Sequence, residues 1–492
     1  NIDAKNKFYF GDIDLKINNN FDINNFEKLL NLFDKIKGQT YSINSVNEIL
    51  EEIDNISLDE QYEAITASVN ENIISDKINL SFVIEETDKY IIKKINIFGN
   101  NVTRENVIRN QLEIDEGDFY NELLQKKSEN NLKSLGFFKD VKLESLNSEI
   151  DGSKIININV DEKPTGEISA GAGFGTSGAM IQLGIRENNY LGKGVALDTN
   201  ITINDNSVRG IFSVTDPNYK NSDTSLYTTI EASELDRLTA AGYKNNRTGL
   251  IIGTNFEYLD DLNLGLGLSN YYEDITTIST ASATQKKQAG SYWDSFLKLN
   301  LLYDKRNQRY KTSKGFVNSY KSDIPLISKT NTFTNSFETK LYSELYENNI
   351  STISFLVRSS NSISGDEIKL SERLFVPSNK LRGFERGKIG PKDGSTYIGG
   401  NFMTSINIAS TLPQILEDSQ NIDFLVFLDA ANLWGVDYNS SLESNDSFKS
   451  SIGIGMDWFT PVGPLNFSLA LPITKDSSDI TETFRFNLGT TF

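Results

Sequence analysis

Phe484-Arg485-Phe486-Asn487-Leu488-Gly489-Thr490-Thr491-Phe492 closes the sequence, and its alternation decides how the C-terminal two thirds of the chain is read. Phe484, Phe486, Leu488 and Phe492 fall on one face of an extended strand, and Arg485, Asn487 and Thr491 on the other. Side chains of a strand point alternately to its two faces, so a period of two places apolar and polar groups in different solvents. The same pattern recurs upstream in Leu465–Leu471, Ser351–Val357, Leu262–Leu268, Val195–Ile203 and Ile181–Arg186. About sixteen such runs, separated by Asn, Asp, Gly and Ser turns, fill residues 166–492. Sixteen membrane-crossing strands of ~9–11 residues need roughly 160 residues, which leaves ample chain for loops. A soluble propeller would show a blade repeat of about 40–50 residues, and none is visible. A final aromatic with no tail also suits an outer-membrane barrel. The expected fold is a sixteen-stranded antiparallel transmembrane β-barrel.

Composition agrees with this and excludes other classes. The 492 residues hold 67 Asp+Glu against 48 Lys+Arg, a formal net charge of -19, so no basic face is available for nucleic acid. Histidine and cysteine are absent, which removes Ser-His-Asp triads, thiol nucleophiles and the usual zinc sites but leaves carboxylate or lysine chemistry open; no cofactor, metal or catalytic residue is expected. A mean hydropathy of -0.37 would also suit a soluble protein. In a membrane barrel, however, only alternate residues face lipid, and no apolar run approaches the ~18 residues of a membrane helix. The start at Asn1, without methionine or a signal-peptide pattern, reads as a mature or truncated form.

Residues 1–165 differ in period. Two copies of a β-α-α-β-β module are expected, at 1–88 and 89–165. Each opens with an alternating strand (from Phe8, then from Tyr90) and continues into a helix. Gly38-Gln39-Thr40-Tyr41 or Gly117-Asp118-Phe119-Tyr120 makes the turn to a second helix, and two strands close the copy. Such an arm either spaces something from a membrane or docks peptides along an exposed sheet edge.

Gly173-Phe174-Gly175-Thr176-Ser177-Gly178 matches the dinucleotide fingerprint, but that fingerprint requires a helix next, and Met180–Arg186 alternates as a strand. Acidic pairs such as Asp260-Asp261 sit at turns and read as solvated loops. The informative segment is the long connection at about 362–396, punctuated by Pro377, Gly383, Gly387, Gly390 and Pro391. If it folds inward, Arg382 needs an anionic partner, because an unpaired buried guanidinium is costly. Asp429, beside Leu428 on an alternating strand, is the candidate; the alternative is that Arg382 reaches solvent.

Arg382-Gly383-Phe384, followed by Ile389-Gly390-Pro391, resembles the inward-loop motif of the superfamily of outer-membrane assembly and translocation barrels, the BamA family in particular. The resemblance extends through Ser169–Gly175, Asn189-Tyr190-Leu191-Gly192, Asp216-Pro217, Phe427-Leu428-Asp429, Thr460–Leu465 and Phe486–Phe492. Phe98-Gly99-Asn100 and Leu135-Gly136-Phe137-Phe138 are similar to POTRA signatures. What the resemblance implies is an assembly factor that folds and inserts β-barrel proteins into the bacterial outer membrane, with its POTRA domains in the periplasm. The partners implied are unfolded outer-membrane proteins, accessory lipoproteins and the lipid bilayer. It implies that Arg382 and Asp429 form the contact holding the loop in the lumen, and that Glu116 meets a BamD-like lipoprotein. Members often place a glutamate on the strand after the loop; here Asn407 is nearest, so a single carboxylate is expected to hold the arginine. Members also usually carry five POTRA modules, against two here.

On physical grounds the opening is expected at a lateral seam. Its first strand carries Gly171, Gly173 and Gly175; its last carries Phe484, Phe486, Leu488, Gly489 and Phe492. A translocation barrel of the TamA or two-partner-secretion type is the alternative within the superfamily, and a passive porin the alternative outside it.

Overall fold

The computed structural model describes residues 8–488, except 18–20, 40, 43–44, 47–48, 51, 54–55, 58–64, 75–76, 87, 151, 177, 310–311, 347–348, 395, 414–420, 440–441, 443–446 and 461–462. Two compact units divide the chain between Thr165 and Gly166, with residues 191–193 grouped with the first.

The first unit contains two three-stranded mixed sheets. In one, the central strand Lys77–Glu86 runs parallel to Tyr9–Ile17 and antiparallel to Ile65–Ile74. In the other, Ser153–Glu162 is central, parallel to Ile91–Phe98 and antiparallel to Phe138–Asn147. Each sheet buries one face under helices because its inward positions are apolar. Phe10, Leu80, Phe82 and Ile84 meet Phe26, Leu29 and Phe33 of the segment Ile23–Ile36. Ile92, Ile95, Val141, Ile156 and Ile158 meet Ile108 and Leu132 in the second. Asn121 starts the helix Glu122–Ser134 by accepting the Leu123 N–H with its side-chain oxygen at 2.8 Å, which satisfies one of the helix's otherwise orphan donors. The order β-α-α-β-β holds in the second copy, and in the first as far as its residues are described.

The second unit is a closed antiparallel barrel of sixteen strands, beginning with Gly166–Gly175 and ending with Phe484–Leu488. Its wall is inverted relative to a soluble protein. Ile185, Leu268, Ile353, Ile454 and Leu471 are exposed, while Ser405, Asp429 and Ser451 are fully buried. That distribution suits hydrocarbon outside and a polar interior. No helix among the described residues is long and apolar enough to cross a membrane.

The Gly173–Gly178 stretch is a strand end, a turn and a strand start, with Gly178 at φ +102°. No helix follows it. The long connection proves longer than the sequence suggests. The strand before it ends at Ser362 and the barrel resumes only at Phe402. Thr396–Tyr397, which alternates like the start of a barrel strand, instead pairs with Lys392–Asp393 in a small hairpin of its own.

Candidate functional site

Alternation along Ile422–Trp434 turns Leu428 outward and Asp429 inward, where it is 0% exposed. The connection 363–401 folds onto this position. Arg382 donates from Nε to Asp429 Oδ2 at 2.7 Å and from Nη2 to Oδ1 at 2.8 Å, a two-pronged geometry that lysine cannot reproduce. The Arg382 backbone N–H adds a bond to Oδ2 at 3.1 Å, and Asn407 Nδ2 donates to Oδ1 at 2.9 Å. Four donors thus surround one buried carboxylate. The guanidinium also lies 3.3 Å from the centroid of the Phe427 ring.

Asn407 therefore does not substitute for a second carboxylate. It orients Asp429 and, through the same amide, donates to the Lys380 carbonyl at 2.8 Å. Among the described residues Asp429 is the carboxylate that Arg382 hydrogen-bonds, and the connection has further charged anchors that sequence reading did not find. Lys369 is buried among Glu273, Asp294 and Glu372. Arg373 pairs with Asp437 and donates from Nη1 to Asn401 Oδ1 at 3.1 Å. Lys380 donates to Glu338 at 2.7 Å and to Ser354 at 2.8 Å. Burial would drive the Lys369 ammonium towards neutrality, but Glu372, Glu273 and Asp294 outweigh it and hold its pKa above the ordinary lysine value.

Gly383 has φ +87°, and a Cβ there would lie 3.1 Å from Ser451 Cβ and 3.2 Å from Ala470 Cβ. Glycine is what lets the loop backbone come this close to the wall. Ser451 Oγ donates to the Arg382 carbonyl at 2.5 Å. Phe384 fills an apolar cluster with Leu381, Ile389, Met403 and Leu433. Gly383–Phe384 also forms a two-residue ladder with Thr481–Glu482, just before the last strand. The motif consequently spans from the strand of Asp429 to the approach of the strand that closes the barrel.

The first and last strands meet along their described residues at Gly175 and Phe174. Asn487 stands opposite Gly175 and Leu488 opposite Phe174, and on its other side the first strand pairs from Gly166 to Gly175. Thr176 N–H adds a bond to the Phe486 carbonyl at 3.1 Å, and the Phe174 and Phe486 rings are 5.9 Å apart. A Cβ at Gly175 would meet Phe486 O at 2.5 Å, and one at Gly173 would meet Leu488 O at 3.0 Å. These glycines permit a close approach as well as withholding side chains from the ladder. Gly171 lies opposite Gln182, away from the described closing pairs, and Phe484 is 47% exposed on the outer face. Gly489 and Phe492 lie outside the described residues.

Glu116, in the second sheet's unit, is not a free surface carboxylate. Its Oε1 accepts the Ile95 N–H at 2.9 Å and lies 3.6 Å from Arg109 Nη2, with the side chain 44% exposed. No group of His, Cys, Asp and Glu among the described residues is arranged to hold a metal ion.

Residues 189–492 match the family model described as Omp85 superfamily domain, and residues 90–163 the POTRA model described as surface antigen variable number repeat. The chain is 26% identical over 427 residues to the outer membrane protein assembly factor BamA of Neorickettsia risticii, covering 85% of this chain and 57% of that one. It is 23% identical over 525 residues to BamA of Neisseria meningitidis, covering 95% and 64% respectively. The chain thus spans less than two thirds of the length of these relatives. Among solved structures, BamA from Haemophilus ducreyi lacking POTRA domains 1–3 superposes with a TM-score of 0.75 at 22% identity, covering 99% of this chain and all of that one. CdiB from Acinetobacter baumannii superposes with 0.53 at 11% identity, covering 99% and 91%.

Proposed function

Since the chain belongs to the Omp85 superfamily, we propose that it folds and inserts β-barrel proteins into the bacterial outer membrane by strand pairing at the seam between its first and last strands. The observation that carries this reading is the contrast within one strand. Phe484–Leu488 is fastened from the lumen by the inward loop, yet the first strand comes against it through Gly175 and Gly173, which bring no side chain to the contact.

The physical need is backbone satisfaction. An unpaired peptide group in hydrocarbon costs several kcal/mol, so a client strand must find a partner before it enters lipid. The first strand's edge offers N–H and C=O groups in the required geometry, as any sheet edge does. The periplasmic POTRA sheets supply further edges for holding clients, and a BamD-like lipoprotein would meet the unit at Glu116. No step requires a cofactor or bond-breaking chemistry. A translocation barrel has weaker support, through a fold likeness at 11% identity. A passive porin would have no use for POTRA modules.

The test is reconstitution. The chain in liposomes should accelerate the folding of an unfolded client barrel, followed by the mobility difference between folded and heat-unfolded forms on a gel. A rate equal to that of empty liposomes would defeat the reading.

A further inference from the structure

Arg485 is the second residue of the closing strand, opposite Ser468 of the preceding strand Gly463–Thr474, and is 7% exposed. Phe484 and Phe486 on either side are more exposed, so the guanidinium alone points inward. There it donates from Nη1 to the Ser378 carbonyl at 2.6 Å and from Nη2 to the Phe384 carbonyl at 2.7 Å. Nε and Nη2 also hold Glu482 Oε2, at 2.8 and 2.6 Å.

Ser378 precedes Arg382 and Phe384 follows it, so carbonyls from both sides of Arg382 converge on one side chain of the seam strand. The described seam pairs begin two residues further on, at Asn487 and Leu488. Backbone bonds reinforce the junction: Glu385 N–H donates to the Ile480 carbonyl at 2.9 Å.

We propose that Arg485 is the positioning residue that couples the inward loop to the seam, so that loop docking at Asp429 and seam closure form one linked equilibrium. Phe384 and Ser378 carry the loop's position to the guanidinium, and the strand carries it to Leu488. The planar fork suits this role, because one group must bond a carboxylate and two carbonyls at once. Lysine has a point charge on a flexible stem and cannot hold all three in that plane. Coupling of this kind is a shared free energy, and a double-mutant cycle detects it directly. The inference rests on the proposed seam, but its test needs no client, so either idea can fail without the other.

Phe174→Cys and Leu488→Cys are introduced together into the full chain, which has no native cysteine. Oxidative crosslinking rates are then measured in lipid nanodiscs. Arg485→Gln should slow crosslinking about tenfold, the weight of one lost charge-assisted hydrogen-bonded group. Arg485→Lys should fall between. Arg382→Ala should also slow crosslinking, but combining it with Arg485→Gln should add little. Heat-modifiable gel mobility reports whether each variant has folded. If Arg485→Gln does not fold, Arg485→Lys and Glu482→Gln are read by the same criterion. Unchanged crosslinking in a folded Arg485 variant, or fully additive effects with Arg382→Ala, would overturn the proposal.

Discussion

Asp429 is the residue on which the inward loop turns. It is 0% exposed and has four hydrogen-bond donors, three of them from Arg382. A buried pair of this kind contributes modestly to net stability, but breaking it by removing one partner leaves an uncompensated charge, at about 3–5 kcal/mol. Arg382→Ala should therefore release the loop and expose Arg386 and Lys388 to trypsin. Arg382→Ala/Asp429→Ala should cost less than the sum of the single changes, because no orphan carboxylate remains. Protection equal to the wild type in both single variants would contradict this. In the sequence, Arg382 and Asp429 could be named together because a charge in a glycine-rich loop demands a partner and the motif resembles a known one. Lys369, Arg373, Lys380 and Arg485 could not. Lys369 meets Glu273, 96 residues earlier, and Arg485 meets backbone carbonyls, which leave no trace in residue identity.

At the scale of elements, strands were legible wherever one face meets lipid, since alternation then directly reflects solvent. It failed at Thr396–Tyr397, because a short hairpin within the long connection alternates as well as a membrane strand does. The POTRA unit gives the element-scale prediction. Glu116 accepts the Ile95 N–H and thereby ties the turn before Gly117 to the strand Ile91–Phe98. Glu116→Lys would break that bond as well as reverse the charge, so it mixes two effects. Glu116→Gln keeps a carbonyl acceptor and removes only the charge. It should weaken lipoprotein co-purification at low salt while leaving the unit's melting temperature unchanged. The effect should be small, since an exposed pair is worth ~0–1 kcal/mol. Unchanged co-purification at low salt would contradict the proposed docking role of Glu116.

For the whole molecule, about sixteen strands followed from counting turns. That the barrel closes between its first and last strands could be expected, but the register there could not, because nothing in the pattern near Gly175 specifies Asn487 as its neighbour. Glycine was read as a weakness of the first strand; the geometry adds that Gly175 is needed for the approach to Phe486 O. The central claim is that this seam is where clients enter the membrane. It is tested most directly by locking the seam with a disulfide between Phe174→Cys and Leu488→Cys, with Leu266→Cys/Leu299→Cys, which face each other on two central strands, as the control. The account predicts that the seam disulfide abolishes client insertion, that reduction restores it, and that the central disulfide is harmless. Full insertion activity with the seam demonstrably locked would contradict it.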